Sequence, residues 1–150
     1  EQAALEKNSY NEGGWAVDGV AEAKAFRMFN DFCTKHADWE RLSKAQKPYK
    51  VARLGGYNVA AFDIPRVKKY YESRNQFWKA AWYYPTDVYH LALWYFAITK
   101  EAETESYTLE SVSKYFGIDS EGAHDALIDC MNTVEVARQI TSRIQNLDVD

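Results

Sequence analysis

The chain has 150 residues, 47% apolar and 27% charged, which suits a globular protein with a core of its own and excludes a disordered, polar-rich chain. Its formal charge of −4 argues against a surface that coats polyanions throughout, although a local basic path stays compatible with it. No run of about 18 apolar residues occurs, so no membrane span is expected.

Residues 1–17 read as irregular, with Asn11, Gly13 and Gly14 as breakers. Asp18 can cap a helix that runs to about Ala37, with Val20, Ala25, Phe26, Phe29, Phe32 and Cys33 on its apolar face. Residues 38–48 are charge-rich, end at Pro48 and read as a connection. Tyr49–Leu54 alternates and leads into Gly55-Gly56, so it reads as a strand. A second helix is expected from about Ile64 to Trp82, with Pro65 tolerated in its first turn and Pro85 beyond its end. Residues 86–99 begin as a short strand and become helical, and the acidic stretch Glu101, Glu103, Glu105 reads as a loop. Thr108 caps a short helix through Phe116, which Gly117 stops. A last helix covers about 126–146, with Asp125 as its cap.

Smaller features fill this frame. Cys33 and Cys130 are isolated and read as buried, reduced thiols of a cytoplasmic protein. The first residue is Glu rather than Met, as expected of a chain that begins inside a longer protein. Lys44, Lys47, Lys50 and Arg53 form one basic stretch and Arg66, Lys68 and Lys69 another; each alone reads as a solvated surface. An aromatic series from Tyr70 to Phe96 reads as core or protein interface before it reads as a stacking surface for unpaired bases. His90 falls on an apolar segment and is expected to be packed.

The segment HDALID at 124–129 carries the chemistry. His124 and Asp129 are five residues apart, which on one helix would turn them roughly 140° from each other. Both can face one site if His124 precedes the helix and Asp129 lies inside it. A histidine on a loop and a carboxylate on a rigid helix suit a general base and a metal ligand. Upstream lies NVAAFD at 58–63, with Asn58, Phe62 and Asp63. Singly, each residue has an ordinary role. Asp63 reads as a helix cap, Asn58 as a turn residue, Asp129 as a first-turn carboxylate and His124 as a surface or core histidine.

Taken together and in order, LGGYNVAAFD, YTLESVSKYFGID and HDALIDCMNTVEVAR resemble the DEDDh (DnaQ-like) 3′–5′ exonucleases, which have an RNase H-like fold. The resemblance covers about residues 50–145. It implies an α/β fold, here a single partial domain over 1–150 that is helix-rich with few strands. Two divalent ions, Mg²⁺ or Mn²⁺, would be held by Asp63 and Asp129 together with an Asp-x-Glu pair on a first strand. His124 would be the general base, and Asn58 and Phe62 would position the 3′-terminal nucleotide of single-stranded DNA or RNA.

The Asp-x-Glu strand has no counterpart. Asp38-Trp39-Glu40, Asp119-Ser120-Glu121 and Asp148-Val149-Asp150 follow no apolar strand run. The expectation is a missing N-terminal segment and weak or no activity for this chain alone. The strand near Lys50–Leu54 would then be completed by that segment, a second chain or a homo-oligomer. Asp87 resembles a frequent family aspartate and reads as structural. The alternative is a non-catalytic nuclease-like module that binds nucleic acid or a protein through its aromatic surface.

Overall fold

The computed structural model describes residues 13, 14, 17, 19–100, 106–119 and 125–146. They form a mixed α/β structure, rich in helix and poor in strand, as the sequence implies. The chain divides into two compact units. One contains Gly55–Val59 and the described residues from Asp87 onward; the other contains the described residues up to Leu54 together with Ala60–Thr86.

In the unit that ends at Thr86, helix α1 spans Glu22–Lys35. Phe26 stacks on Tyr70 and Phe29 packs on Trp78, while Cys33 is buried and burial pushes its thiol up. Phe32 and Val20, expected on the apolar face, are instead exposed. Asp18, the expected cap, lies outside the described residues. Gly13, Gly14 and Val17 are helical although this stretch reads as irregular. Strand β1 (Trp39–Leu42) and strand β2 (Pro48–Val51) form an antiparallel hairpin with Trp39 opposite Val51 and Arg41 opposite Tyr49. The segment expected as a connection is thus half of a hairpin. Pro48 sits at the first position of its strand, where a missing N–H is tolerated. Just beyond β2, Ala52 pairs with Ala81: its N–H donates to Ala80 O at 3.0 Å and its carbonyl accepts from Trp82 N–H at 2.8 Å. The strand read at Tyr49–Leu54 therefore has partners within this chain.

Helix α2 (Asp63–Glu72) is shorter than expected. Ser73 and Asn75 close it, Asn75 taking a left-handed φ of 51° while Gln76 N–H donates back to Tyr71 O. Leaving the helix there frees residues 80–82 to pair with Ala52. Ile64 and Tyr71 are buried on α2, and Arg74 pairs with Glu22 at 2.7 Å.

Strand β3 (Gly55–Gly56) of the other unit pairs with strand β4 (Thr86–Asp87), whose Asp87 belongs to that same unit. Helix α3 (Val88–Thr99), helix α4 (Leu109–Tyr115) and helix α5 (Ala126–Gln145) follow. Their core is Val88, Ala92, Tyr95, Phe96, Val112, Phe116, Val136 and Ile140. Thr108 caps α4 by accepting from Ser111 N–H, and Gly117 takes the φ of 69° that a tight stop requires. No helix among the described residues is long and apolar enough to cross a membrane. Cys130, expected to be buried, is exposed on α5, and His90 is 60% exposed on α3. The acidic stretch at 101–105 lies outside the described residues.

Candidate functional site

The turn after β3 is built on backbone constraints. A Cβ on Gly56 would stand 2.9 Å from Val59 Cβ, so only glycine fits the unshifted turn. Asn58 holds a φ of 57°, a region where its short amide side chain is better tolerated than most. Its backbone N–H donates to Asp87 Oδ1 at 2.9 Å. The same oxygen accepts from Tyr89 N–H at 3.1 Å and so caps α3. The Asp87 side chain is only 6% exposed, and one buried carboxylate therefore ties the Asn58 turn to the start of α3. Beside it, Tyr57 donates from its hydroxyl to Tyr107 O at 2.8 Å. Burial pushes the Tyr57 phenol well up, and the neighbouring Tyr89 and Asp87 push the same way.

Helix α5 starts where the sequence places it. Asp125 accepts from Leu127 N–H at 2.9 Å and from Ile128 N–H at 3.2 Å, satisfying two donors of the first turn. Asp129 is half-buried one turn in, and its N–H donates to Asp125 O. It precedes buried Thr133 by four residues and buried Val136 by seven, so it lies on the inward stripe of α5, at its N-terminal end. Helix polarity favours a carboxylate there. His124 lies outside the described residues.

Phe62 and Asp63 belong to the other unit. Phe62, not Asp63, occupies the cap position of α2, and it makes no side-chain capping bond. The ordinary reading of Asp63 as a cap therefore fails: its carboxylate is exposed in the first helical turn. One turn on, Arg66 donates from Nη1 to Phe62 O at 2.6 Å and lays its guanidinium 3.4 Å from the centre of the Phe62 ring. Phe62 is 54% exposed and is held by this cation. In the sequence Arg66 stands out only as part of a basic stretch, although its i, i+4 spacing from Phe62 is visible there. The remaining donors of Arg66 put positive charge beside an exposed ring. That combination can meet a phosphate and a base.

A family model described as exonuclease, that of RNase T, matches residues 27–137. The chain belongs to this exonuclease family. The match covers more than half of the chain and includes Asn58, Phe62, Asp63, His124 and Asp129. Membership makes the chain DnaQ-like and its function one of the nuclease type. No curated protein and no solved structure matches it significantly.

The exonuclease family generally uses divalent metals. Asp63 and Asp129 offer the hard oxygen donors that Mg²⁺ and Mn²⁺ take. Among the described residues, no group of three or more His, Cys, Asp or Glu side chains is assembled to hold an ion. The donor chemistry fits, and among the described residues fewer than three such ligands are assembled. Asp38 does not supply the shortfall freely, because it pairs with Arg53 at 3.3 Å. Glu40 stands on β1 opposite Lys50.

Proposed function

We propose that this chain belongs to a 3′–5′ exonuclease of the DEDDh type, which hydrolyses the terminal phosphodiester of single-stranded DNA or RNA. The observation that carries the reading is the family match spanning both motifs in order, with α5 beginning at Ala126 so that Asp129 lies in its first turn. Asp63 and Asp129 are the carboxylates that take part in metal binding. The ions, Mg²⁺ or Mn²⁺, supply neutralisation of phosphate charge when bound. His124 accepts a proton from the attacking water. The oxygen forms a bond to the terminal phosphorus, and the bond from phosphorus to the 3′ oxygen breaks. The freed 3′ oxygen of the shortened strand takes a proton from solvent to become a hydroxyl, and a nucleoside 5′-monophosphate leaves. Phe62 offers an exposed ring to the terminal base, and Asn58, four residues earlier in the same sequence motif, helps to position that nucleotide.

The test uses the intact protein with Mg²⁺ and a 5′-labelled single strand. A ladder shortening from the 3′ end is expected. His124→Ala should lower turnover by about 10²- to 10⁴-fold, the usual contribution of a general base. Asp129→Asn should lower it by a comparable or larger factor with the circular dichroism spectrum unchanged. Undiminished turnover in folded Asp129→Asn would overturn the assignment.

A further inference from the structure

We propose that the β1–β2 hairpin carries a second, non-catalytic site for single-stranded nucleic acid, in which Arg41 takes a phosphate and the neighbouring tyrosines stack bases. This goes beyond the exonuclease centre. It draws on the nuclease character of the family only to choose among polyanions.

The site begins with strand alternation. Trp39, Arg41, Tyr49 and Val51 share one face of the hairpin, and no carboxylate belongs to that face. Arg41 lies between two indoles, its guanidinium carbon 4.7 Å from the Trp39 ring centre and 4.3 Å from that of Trp82. The two indoles meet edge to face at 5.5 Å. Arg41 is thus positioned by stacking rather than by an acidic side chain. It makes no ion pair among the described residues, and its Nε is buried without a hydrogen-bond partner. A planar guanidinium fixed this way keeps its fork for an incoming oxyanion.

The rings continue outward from Trp82. Tyr83 lies 4.7 Å from Trp82 and 4.4 Å from Tyr84, centre to centre. Arg41 and Tyr49 both stand close enough to act on the Tyr83 phenol. Tyr84 is 66% exposed, and Tyr49 and Tyr83 are about 40% exposed. Ring faces left open to water next to an unpaired cation are what an unstacked base and its phosphate require. A duplex hides those base faces, so the ligand is single-stranded.

Charge separates nucleic acid from a protein partner. Aromatic and arginine side chains also serve protein interfaces. From Asp38 to Arg53, however, the chain carries Arg41, Lys44, Lys47, Lys50 and Arg53 against Asp38 and Glu40 only, within a protein of net charge −4. Asp38 is already taken by Arg53. A local excess of positive charge in an acidic protein matches a phosphate chain.

The experiment is fluorescence anisotropy of a labelled twelve-nucleotide oligo(dT) in EDTA. This readout is blind to cleavage, so failure of the exonuclease reading would leave it intact. Tyr84→Ala should weaken binding about tenfold, within the range for loss of one base stack. An abasic strand of the same length should bind wild type more weakly by a similar factor, and a duplex more weakly still. Lys44→Ala should lower the salt slope by about one unit. Arg41→Ala is packed between indoles and could fail to fold, so Tyr84 carries the decision. Unchanged affinity in Tyr84→Ala, or equal affinity for the abasic strand, would overturn the proposal. So would failure of the wild type to bind the oligonucleotide.

Discussion

Asp87 shows how one side chain sets the geometry of its neighbourhood. Its carboxylate accepts two backbone N–H groups from separate segments, Asn58 and Tyr89. Asp87→Ala should cost about 1–2 kcal/mol, as loss of a helix cap does, and the Asn58 turn should lose its anchor. A lower urea midpoint at unchanged m-value would check this. Tyr57→Phe tests a different residue in the same unit. The folded state holds the Tyr57 phenol above its ordinary value, so folded and unfolded chains are both protonated below about pH 10. Above that, the unfolded chain releases its proton first, and stability falls as pH rises. Between pH 9 and 11, Tyr57→Phe should therefore lose less stability than wild type, after starting about 1 kcal/mol lower from the lost bond to Tyr107. At this scale the sequence was partly legible. Asn58 reads as a turn residue because Asn tolerates positive φ, and Asp87 reads as structural. His90 was misplaced because VYHLALWYFAIT is apolar on every side, so periodicity cannot say which face points outward.

Elements with capping signals were legible, and elements closed by unusual residues were not. Thr108 and Asp125 mark the starts of α4 and α5, and both helices begin where those residues imply. The hairpin escaped notice because its loop lacks the usual Asn-Gly or Gly signal. Gln46 takes the left-handed φ of 57° there, and Ser43 ties the loop by accepting from Lys47 N–H at 3.0 Å. The end of α2 was hidden in the same way, with Asn75 rather than glycine left-handed. Gln46→Gly should accordingly stabilise the protein by up to about 1 kcal/mol, read from the thermal midpoint, because glycine removes the Cβ clash. Asp125→Ala should do the reverse at α5. Loss of two capped N–H groups should cost about 1 kcal/mol. Since Asp129 sits one turn beyond this cap, the proposed activity should fall with it, by a smaller factor than in Asp129→Asn. Equal loss in both variants would place the activity in the helix end rather than in the Asp129 carboxylate.

For the whole molecule, family and fold class were legible because two short motifs keep their order within a helical frame. The pairing of strands was not, since it depends on contacts far apart in sequence such as Ala52 with Ala81. The same scale decides metal affinity. Asp63 and Asp129 are contributed by separate units of the chain, and among the described residues no group of three or more His, Cys, Asp or Glu is assembled to hold an ion. Mg²⁺ and Mn²⁺ favour about six oxygen ligands, so with fewer than three such side chains assembled among the described residues most positions fall to water. The 150-residue chain should therefore take up Mn²⁺ weakly in calorimetry, and a modest excess should scarcely move its melting temperature, because stabilisation by a ligand follows RT ln(1 + [L]/Kd). Mg²⁺-dependent release of nucleotides by this chain should be correspondingly slow. Tight Mn²⁺ uptake abolished by Asp129→Asn, or fast release of nucleotides from a 3′ end, would show instead that side chains beyond the described residues complete the ligand set.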